Sequence, residues 1–207
     1  MQNRPPTRSN AARSEATRAA LLAAARRLFV ESGYANTSTP AVVEAAQVTR
    51  GALYHHFADK TELFMAVAMQ AAQEVAHEVA AGASGQPTPV EELAAGAEAY
   101  FAAMAREGRA RLLLQDAPAI LSHQQLRRLS EAAGAAELLD GVRAVVGGGA
   151  SGDPPVSELA EVLSASFDRA ALAIASGGSA SRYKRAVNLL LAGLAPAPRA
   201  RRRVPKR

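Results

Sequence analysis

Thr39-Pro40 and Thr49 are helix-start signals set so close together that residues 37 to 60 have room only for a short helix, a tight turn and a second helix. Thr is a good N-cap, and Pro40 follows at the first helical position, where its missing N–H costs nothing. The spacing predicts a helix starting at Thr39 or Pro40, with Val42, Val43 and Ala46 at helical intervals, before Thr49 caps the next. In that second helix Leu53 and Phe57 are four apart and face inward, which leaves Arg50, Tyr54 and one or both of His55 and His56 outside. Gly51 removes a side chain near the helix start, so the backbone and its unpaired N–H groups can approach a phosphate closely. Asp59 and Glu62 have capping-box spacing, with Asp in place of the usual Ser or Thr, and so aim the stem of Lys60 at the start of the following helix. Two short helices joined by a tight turn put the second helix into the major groove of DNA.

Elsewhere helix follows helix, and the expected fold class is all-α. A first helix over about residues 14 to 32 carries Leu21, Leu22, Ala25, Leu28 and Phe29 on its inner face and ends at Gly33. Residues 60 to 81 form a long helix broken by Gly-Ala-Ser-Gly-Gln-Pro at 82 to 87, and Thr88-Pro89-Val90-Glu91 starts another reaching about Arg106. Arg109 to Ala117 read as a short helix stopped by Pro118, and Ser122 to Gln125 as a capping box for a helix to about Val146. The Gly-rich run 147 to 152 is a loop; no strand precedes it and no Lys-Ser/Thr follows, so it is not a phosphate cradle. Residues 156 to 176 and 179 to 194 each present a wide apolar stripe: Leu159, Leu163 and Phe167 on one, Tyr183, Val187, Leu190 and Leu194 on the other. These stripes pack either within one chain or on a second copy. Tyr100, Phe101, Met104, Leu113 and Leu114 are either core or the lining of an apolar pocket. Asp116 stands within an apolar run, where a buried carboxylate must be paired or hydrogen-bonded; it is read either as an interhelical cap or as a ligand-binding group.

The stretch Ala24 to Leu63, with Leu28-Phe29, Gly33-Tyr34, Thr37, Val42, Ala45-Ala46, Val48, Gly51, Leu53-Tyr54, His56-Phe57 and Lys60, resembles the tetracycline-repressor (TetR) family of bacterial regulators. That resemblance implies an all-helical homodimer with an N-terminal three-helix DNA-binding domain and a larger domain for a small-molecule effector and dimerisation. It implies DNA contacts at Thr39, Thr49, Arg50, Gly51, Tyr54, His55, His56 and Lys60 on double-stranded operator DNA and a four-helix intersubunit bundle from the last two helices; the residues themselves offer Tyr100, Phe101, Met104, Leu113 and Asp116 as candidates for the effector pocket. The expected organisation is a disordered basic arm (1–13), the helix-turn-helix domain (14–59), the effector and dimerisation domain (60–195) and a disordered basic tail (196–207). Two positions depart from the family pattern: Gln47 stands where Gly is usual in the turn, and Val43 where a small residue is usual. Gln47 is therefore expected to adopt a left-handed conformation at a cost of about 1 kcal/mol.

Charge is divided along the chain. Residues 1 to 60 hold 8 basic and 4 acidic side chains, residues 61 to 194 hold 10 and 15, and residues 195 to 207 hold 6 and none, within an overall +5. A basic reading end beside an acidic body orients a protein on DNA; the alternative is an ordinary solvated surface. The Pro-punctuated tail either adds phosphate contacts or is a solubilising end, and Arg4, Arg8 and Arg13 in the arm are candidates for minor-groove or phosphate contact. With no cysteine there is no disulfide, thiolate zinc site or thiol nucleophile. No metal or triad spacing occurs, and the expectation is a non-enzyme with no metal and no cofactor. The absence of an apolar stretch of about 18 residues or of a secretory apolar segment points to the cytoplasm and away from membranes. The expected function is a repressor released from a pseudo-palindromic operator by an effector; the alternative is a helical scaffold whose helix-turn-helix no longer reads sequence.

Overall fold

The structure is a computed structural model that describes residues 10–147 and 154–194, all of whose regular elements are helical. Arg4, Arg8, the Gly-rich run beyond Gly147 and the basic tail lie outside the described residues. The described residues form two compact units, the first within 10–76 and 104–133, the second within 77–103, 134–147 and 154–194.

In the first unit α1 (Asn10–Asn36) begins earlier than the periodicity suggests, taking in Arg13, whose carbonyl accepts from the Thr17 hydroxyl at 3.0 Å. Gly33, expected to end the helix, instead kinks it: its φ of 78° and ψ of 164° lie in a region open essentially only to Gly, and helical residues resume beyond it. Thr37, 3 % exposed, closes this corner by donating to the carbonyls of Leu28 and Gly33. α2 (Thr39–Ala46) is capped by Ser38, whose hydroxyl accepts from the Ala41 N–H, not by Thr39 as the sequence suggested. The preceding residue has the extended backbone that an N-cap requires, while Thr39 is already helical. α3 (Arg50–His56) is capped by Thr49 as expected.

Between them Gln47 is left-handed, with φ 54° and ψ 41°. Its N–H reaches the Glu44 carbonyl and the Val48 N–H reaches Val43, the paired bonds of a Schellman ending normally built around Gly. At the start of α4 (Lys60–Ala83), Asp59 accepts from the Glu62 N–H while Glu62 reaches back to the Ala58 N–H.

Leu21, Leu22, Phe29, Val42, Leu53, Phe57, Leu63, Phe64 and Val67 make the apolar centre of this unit. Charge completes it. Glu74 of α4 takes a two-pronged contact from Arg26 of α1 at 2.6 and 2.8 Å, and its second oxygen also accepts from Arg109 at 2.7 Å. Arg109 opens α6 (Arg109–Arg111) and is 3 % exposed. Hydrogen bonding from Arg26, ahead of that from Arg109, holds the Glu74 carboxyl below its ordinary range. These contacts keep the first part of α4, and residues after Met104, packed with the helix-turn-helix, so the division into units does not fall at residue 60.

Pro118 does not stop a helix. A π-turn (Leu112–Asp116) follows α6, and Pro118 sits in the opening turn of α7 (Ala117–Ile120). The π-turn carries the Ala117 N–H back to Leu112, so the ring meets a widened turn rather than a tight α ladder. Nor does Asp116 act as a cap: it has helical backbone and no capping bond, and its Oδ2 lies 3.7 Å from Arg111 Nε. Residues five apart lie on different faces of an α-helix; the wider turn brings these two together.

α8 (His123–Ala132) has the expected Ser122–Gln125 capping box but ends early, because Gly134 takes φ 102° before α9 (Ala135–Gly147) begins. In the second unit α5 (Pro89–Met104) starts at the expected Thr88–Glu91 pair, and α10 (Val156–Ala175) packs on α9 and on α11 (Ala180–Leu194). Phe101 and Phe167 meet edge to face at 6.1 Å, and Tyr100 donates to Asp168 at 2.5 Å. Burial, the larger effect, raises both the Tyr100 phenol and the Asp168 carboxyl above their ordinary values. No described helix is long and apolar enough to cross a membrane.

Two outcomes are expected. Gln47→Gly should raise unfolding free energy by about 1 kcal/mol in urea titrations, since Gly takes the left-handed region without the Cβ penalty. Because the folded value of the Glu74 carboxyl is depressed, its stabilisation is complete above the unfolded value and is lost as pH falls through the folded one. The acid-side loss of stability should therefore be shallower in Glu74→Gln, read as thermal midpoint against pH.

Candidate nucleic-acid interface

The turn at Gln47 and the buried Val42, Leu53 and Phe57 set which side of α3 faces out. Thr49, Arg50, Gly51, Tyr54 and His55 are exposed, while Thr39, His56 and Lys60 are half-buried at the edge of the same surface. All eight expected DNA-contact positions thus belong to the α2–α3 pair or the first residue of α4. Ser38 takes the cap, so the Thr39 hydroxyl is available to bond the Tyr54 phenol. The Arg50 guanidinium stands 5.5 Å from the Tyr54 ring centre. Hydrogen bonds from Thr39 first, and then Arg50, lower the Tyr54 phenol below its usual value. Thr39, Arg50 and Tyr54 lie together on one surface, with Tyr54 still 44 % exposed.

The histidine rings of His55 and His56 meet edge to face at 5.2 Å, and Arg18 of α1 lies 5.4 Å from the Phe57 ring centre. Gly51 has open space beside it: an added Cβ would meet only Thr49 Oγ1, at 3.9 Å. The surface is cationic, hydroxyl-rich and aromatic, the mixture that contacts phosphates and base edges.

Sequence reasoning assigned no role to Ser38, to Tyr34, or to the Arg26–Glu74–Arg109 group. Ser38 was legible, as a capping residue one place earlier. The other two join residues far apart in sequence, and no spacing rule reaches them.

The residues expected in an effector pocket fall in different units. Tyr100 and Phe101 lie with Phe167 in the second, and Met104, Leu113 and Asp116 belong to the first. Of the expected dimer face, Leu163, Phe167 and Val187 are buried within the chain itself, Leu159 and Leu194 are half-buried, and Tyr183 and Leu190 are exposed. Val162 and Leu189 join them as exposed apolar side chains, at 67 % and 68 %. A stripe wider than one neighbour can cover divides between the chain's interior and its surface.

A short capped helix, a Schellman turn and a second helix with a cationic outer face define a helix-turn-helix DNA-binding protein. The chain belongs to the tetR family of bacterial regulatory proteins: that family's model matches residues 21–67, and the model of the tetracyclin repressor-like C-terminal domain matches residues 90–195. A TetR-family transcriptional regulator from Pectobacterium atrosepticum is 32 % identical, with 93 % of this chain and 100 % of that one covered and a TM-score of 0.70. One from Streptomyces coelicolor shares the fold at 22 % identity, covering 87 % and 94 % of the two chains with a TM-score of 0.67. Among curated proteins, the transcriptional repressor AcnR of Corynebacterium efficiens is 41 % identical over 63 residues, 30 % of this chain and 34 % of that protein. The regulator AcrR of Shigella flexneri is 47 % identical over 51 residues, 25 % and 24 % of the two. The chain thus spans about a third or less of the length of these curated relatives.

Arg50→Ala should cost about 1 to 3 kcal/mol on a cognate site and little on random DNA, as expected for a bidentate guanine contact. Equal weakening on both duplexes in fluorescence anisotropy would make Arg50 a phosphate contact instead. Lys60→Ala should weaken all DNA similarly and reduce the slope of log affinity against log salt by about 0.9.

Proposed function

We propose that this regulator is a homodimeric repressor, acting in the cytoplasm, that holds a pseudo-palindromic operator until a small molecule occupies the domain beyond residue 60. The exposed Arg50 and Tyr54, stacked on the outer side of the reading helix beside Thr39, carry this proposal. Together they offer hydroxyl, guanidinium and phenol donors on one surface. One reading helix supplies few base contacts, and a second copy half a site away supplies the rest.

The exposed apolar side chains Val162, Tyr183, Leu189 and Leu190 on α10 and α11 support a twin contact there. The half-buried Tyr100–Asp168 pair beside Phe101 and Phe167 supports an effector with an apolar body and a polar group. The switch is one of spacing. α4 begins at Lys60 and its last residues belong to the second unit, so its displacement moves the reading heads relative to half-sites about 34 to 36 Å apart. The domain limits 14–59 and 60–195 remain the functional division, with arm and tail as accessory cationic segments.

The deciding experiment is a mobility shift with DNA from upstream of the protein's own gene, competed with random duplex. Sequence-specific retention supports the repressor; indifference to sequence makes the chain a helical scaffold. Leu190→Glu should place a charge in the twin contact and produce monomers with collapsed operator affinity. A folded variant that sediments as a dimer and still binds would move the interface elsewhere. An effector that weakens DNA binding tenfold must itself bind the operator complex tenfold more weakly, a coupling of about 1.4 kcal/mol, measurable by calorimetry with and without operator.

A further inference from the structure

The Lys60 ammonium lies 4.1 Å from the centre of the Tyr34 ring. That ring is held on three sides. Phe29 of α1 packs on it at 5.8 Å, Phe64 of α4 meets it edge to face at 5.2 Å, and its hydroxyl shares a hydrogen bond of 3.0 Å with Thr61 Oγ1. The kink at Gly33 sits immediately before Tyr34, so the turn that only Gly adopts readily is also what directs this ring. Among the described residues no carboxylate lies within ion-pair distance of Lys60; the nearby Asp59 and Glu62 are engaged with backbone N–H groups. Partial burial accordingly lowers the Lys60 value from that of a free lysine.

A lysine paired with a carboxylate is well held but has its charge cancelled, and a phosphate must displace the partner. A ring face holds an ammonium by its quadrupole and leaves the full charge to act outward. We infer that Tyr34 is a positioning residue for DNA binding: without touching DNA, it presents the Lys60 ammonium, uncancelled and restricted in its rotamers, to a backbone phosphate. The inference rests on the reading of Lys60 as a phosphate contact.

Two arms test it. The chain holds three lysines, Lys60, Lys184 and Lys206, so reductive 13C-methylation, which keeps the charge, yields a sparse spectrum. Without DNA, the Lys60 dimethyl resonance, identified by its loss in Lys60→Arg, should lie upfield of the other two through the ring current. It should stay upfield in Tyr34→Phe, reduced only by what the loss of the hydroxyl's bond to Thr61 costs, and return to the common position in Tyr34→Leu. Thr61→Val, which removes the hydroxyl's partner and spares the ring, should shift it only partly, and serves where Tyr34→Leu does not fold. A Lys60 resonance coincident with the others in the unmutated protein overturns the inference.

The second arm measures affinity for the upstream duplex. A cation–π contact of ordinary strength corresponds to about a two- to fivefold loss in Tyr34→Leu, with Tyr34→Phe near the unmutated value. In the Lys60→Ala background the same Tyr34→Leu change should have no effect. An equal loss in both backgrounds makes Tyr34 a structural residue and overturns the inference. If Lys60→Ala changes neither affinity nor salt slope while the upfield shift is present, the phosphate reading of Lys60 fails, and the inference falls with it.

Discussion

Helices of eight and seven residues do not persist in water by themselves, because the first hydrogen-bonded turn costs more than so short a ladder returns. The reading pair α2–α3 exists only because Val42, Leu53 and Phe57 are taken up by longer neighbours, and the rest of the first unit follows from that dependence. α1 contributes Leu21, Leu22 and Phe29, α4 contributes Leu63, Phe64 and Val67, and the short pair is held against them. A DNA-reading surface needs an outer face free of packing duties; a short helix can be polar over most of its circumference if a few residues anchor it. Seven residues with Leu53 buried and Arg50, Tyr54 and His55 outside meet that condition.

Polar groups then finish what apolar packing begins. Glu74 collects two arginines from different parts of the sequence, one half-exposed and one fully buried, so the inner guanidinium is not stranded away from water. This joins α1, α4 and α6 through one carboxylate. The Tyr34 hydroxyl plays a smaller version of the same part, tying the end of α1 to Thr61. Tyr100 and Asp168 form an equivalent join within the second unit.

Local chemistry was legible in the sequence wherever its partners are a few residues apart. The Thr49 cap, the Ser122–Gln125 box, the start at Thr88 and the left-handed Gln47 were all readable from residue type and spacing. So was the inward facing of Leu53 and Phe57, because helical periodicity is strong over even two turns. Ser38 was missed because two adjacent hydroxyl residues each suit a cap, and only the backbone decides between them. The helix expected to run on through Gly134 breaks there because an isolated Gly inside a helical pattern does not reveal its own φ. The stripes of α10 and α11 showed which residues are apolar but not how that apolar surface divides between the chain's interior and its exterior. For the same reason, helical periodicity orients a side chain about its own axis and says nothing of which other helix it meets.

The π-turn at Leu112–Asp116 adds a residue to a turn without adding a turn to the helix. Everything after it is rotated by about 100° relative to an uninterrupted α-helix, so Ala117 is fully buried on the strength of how many residues precede it as much as of its own small size. In this stretch the count of residues carries structural information that their identity does not. A chain one residue shorter here would keep nearly the same composition, yet turn a different side of the following segment toward the core.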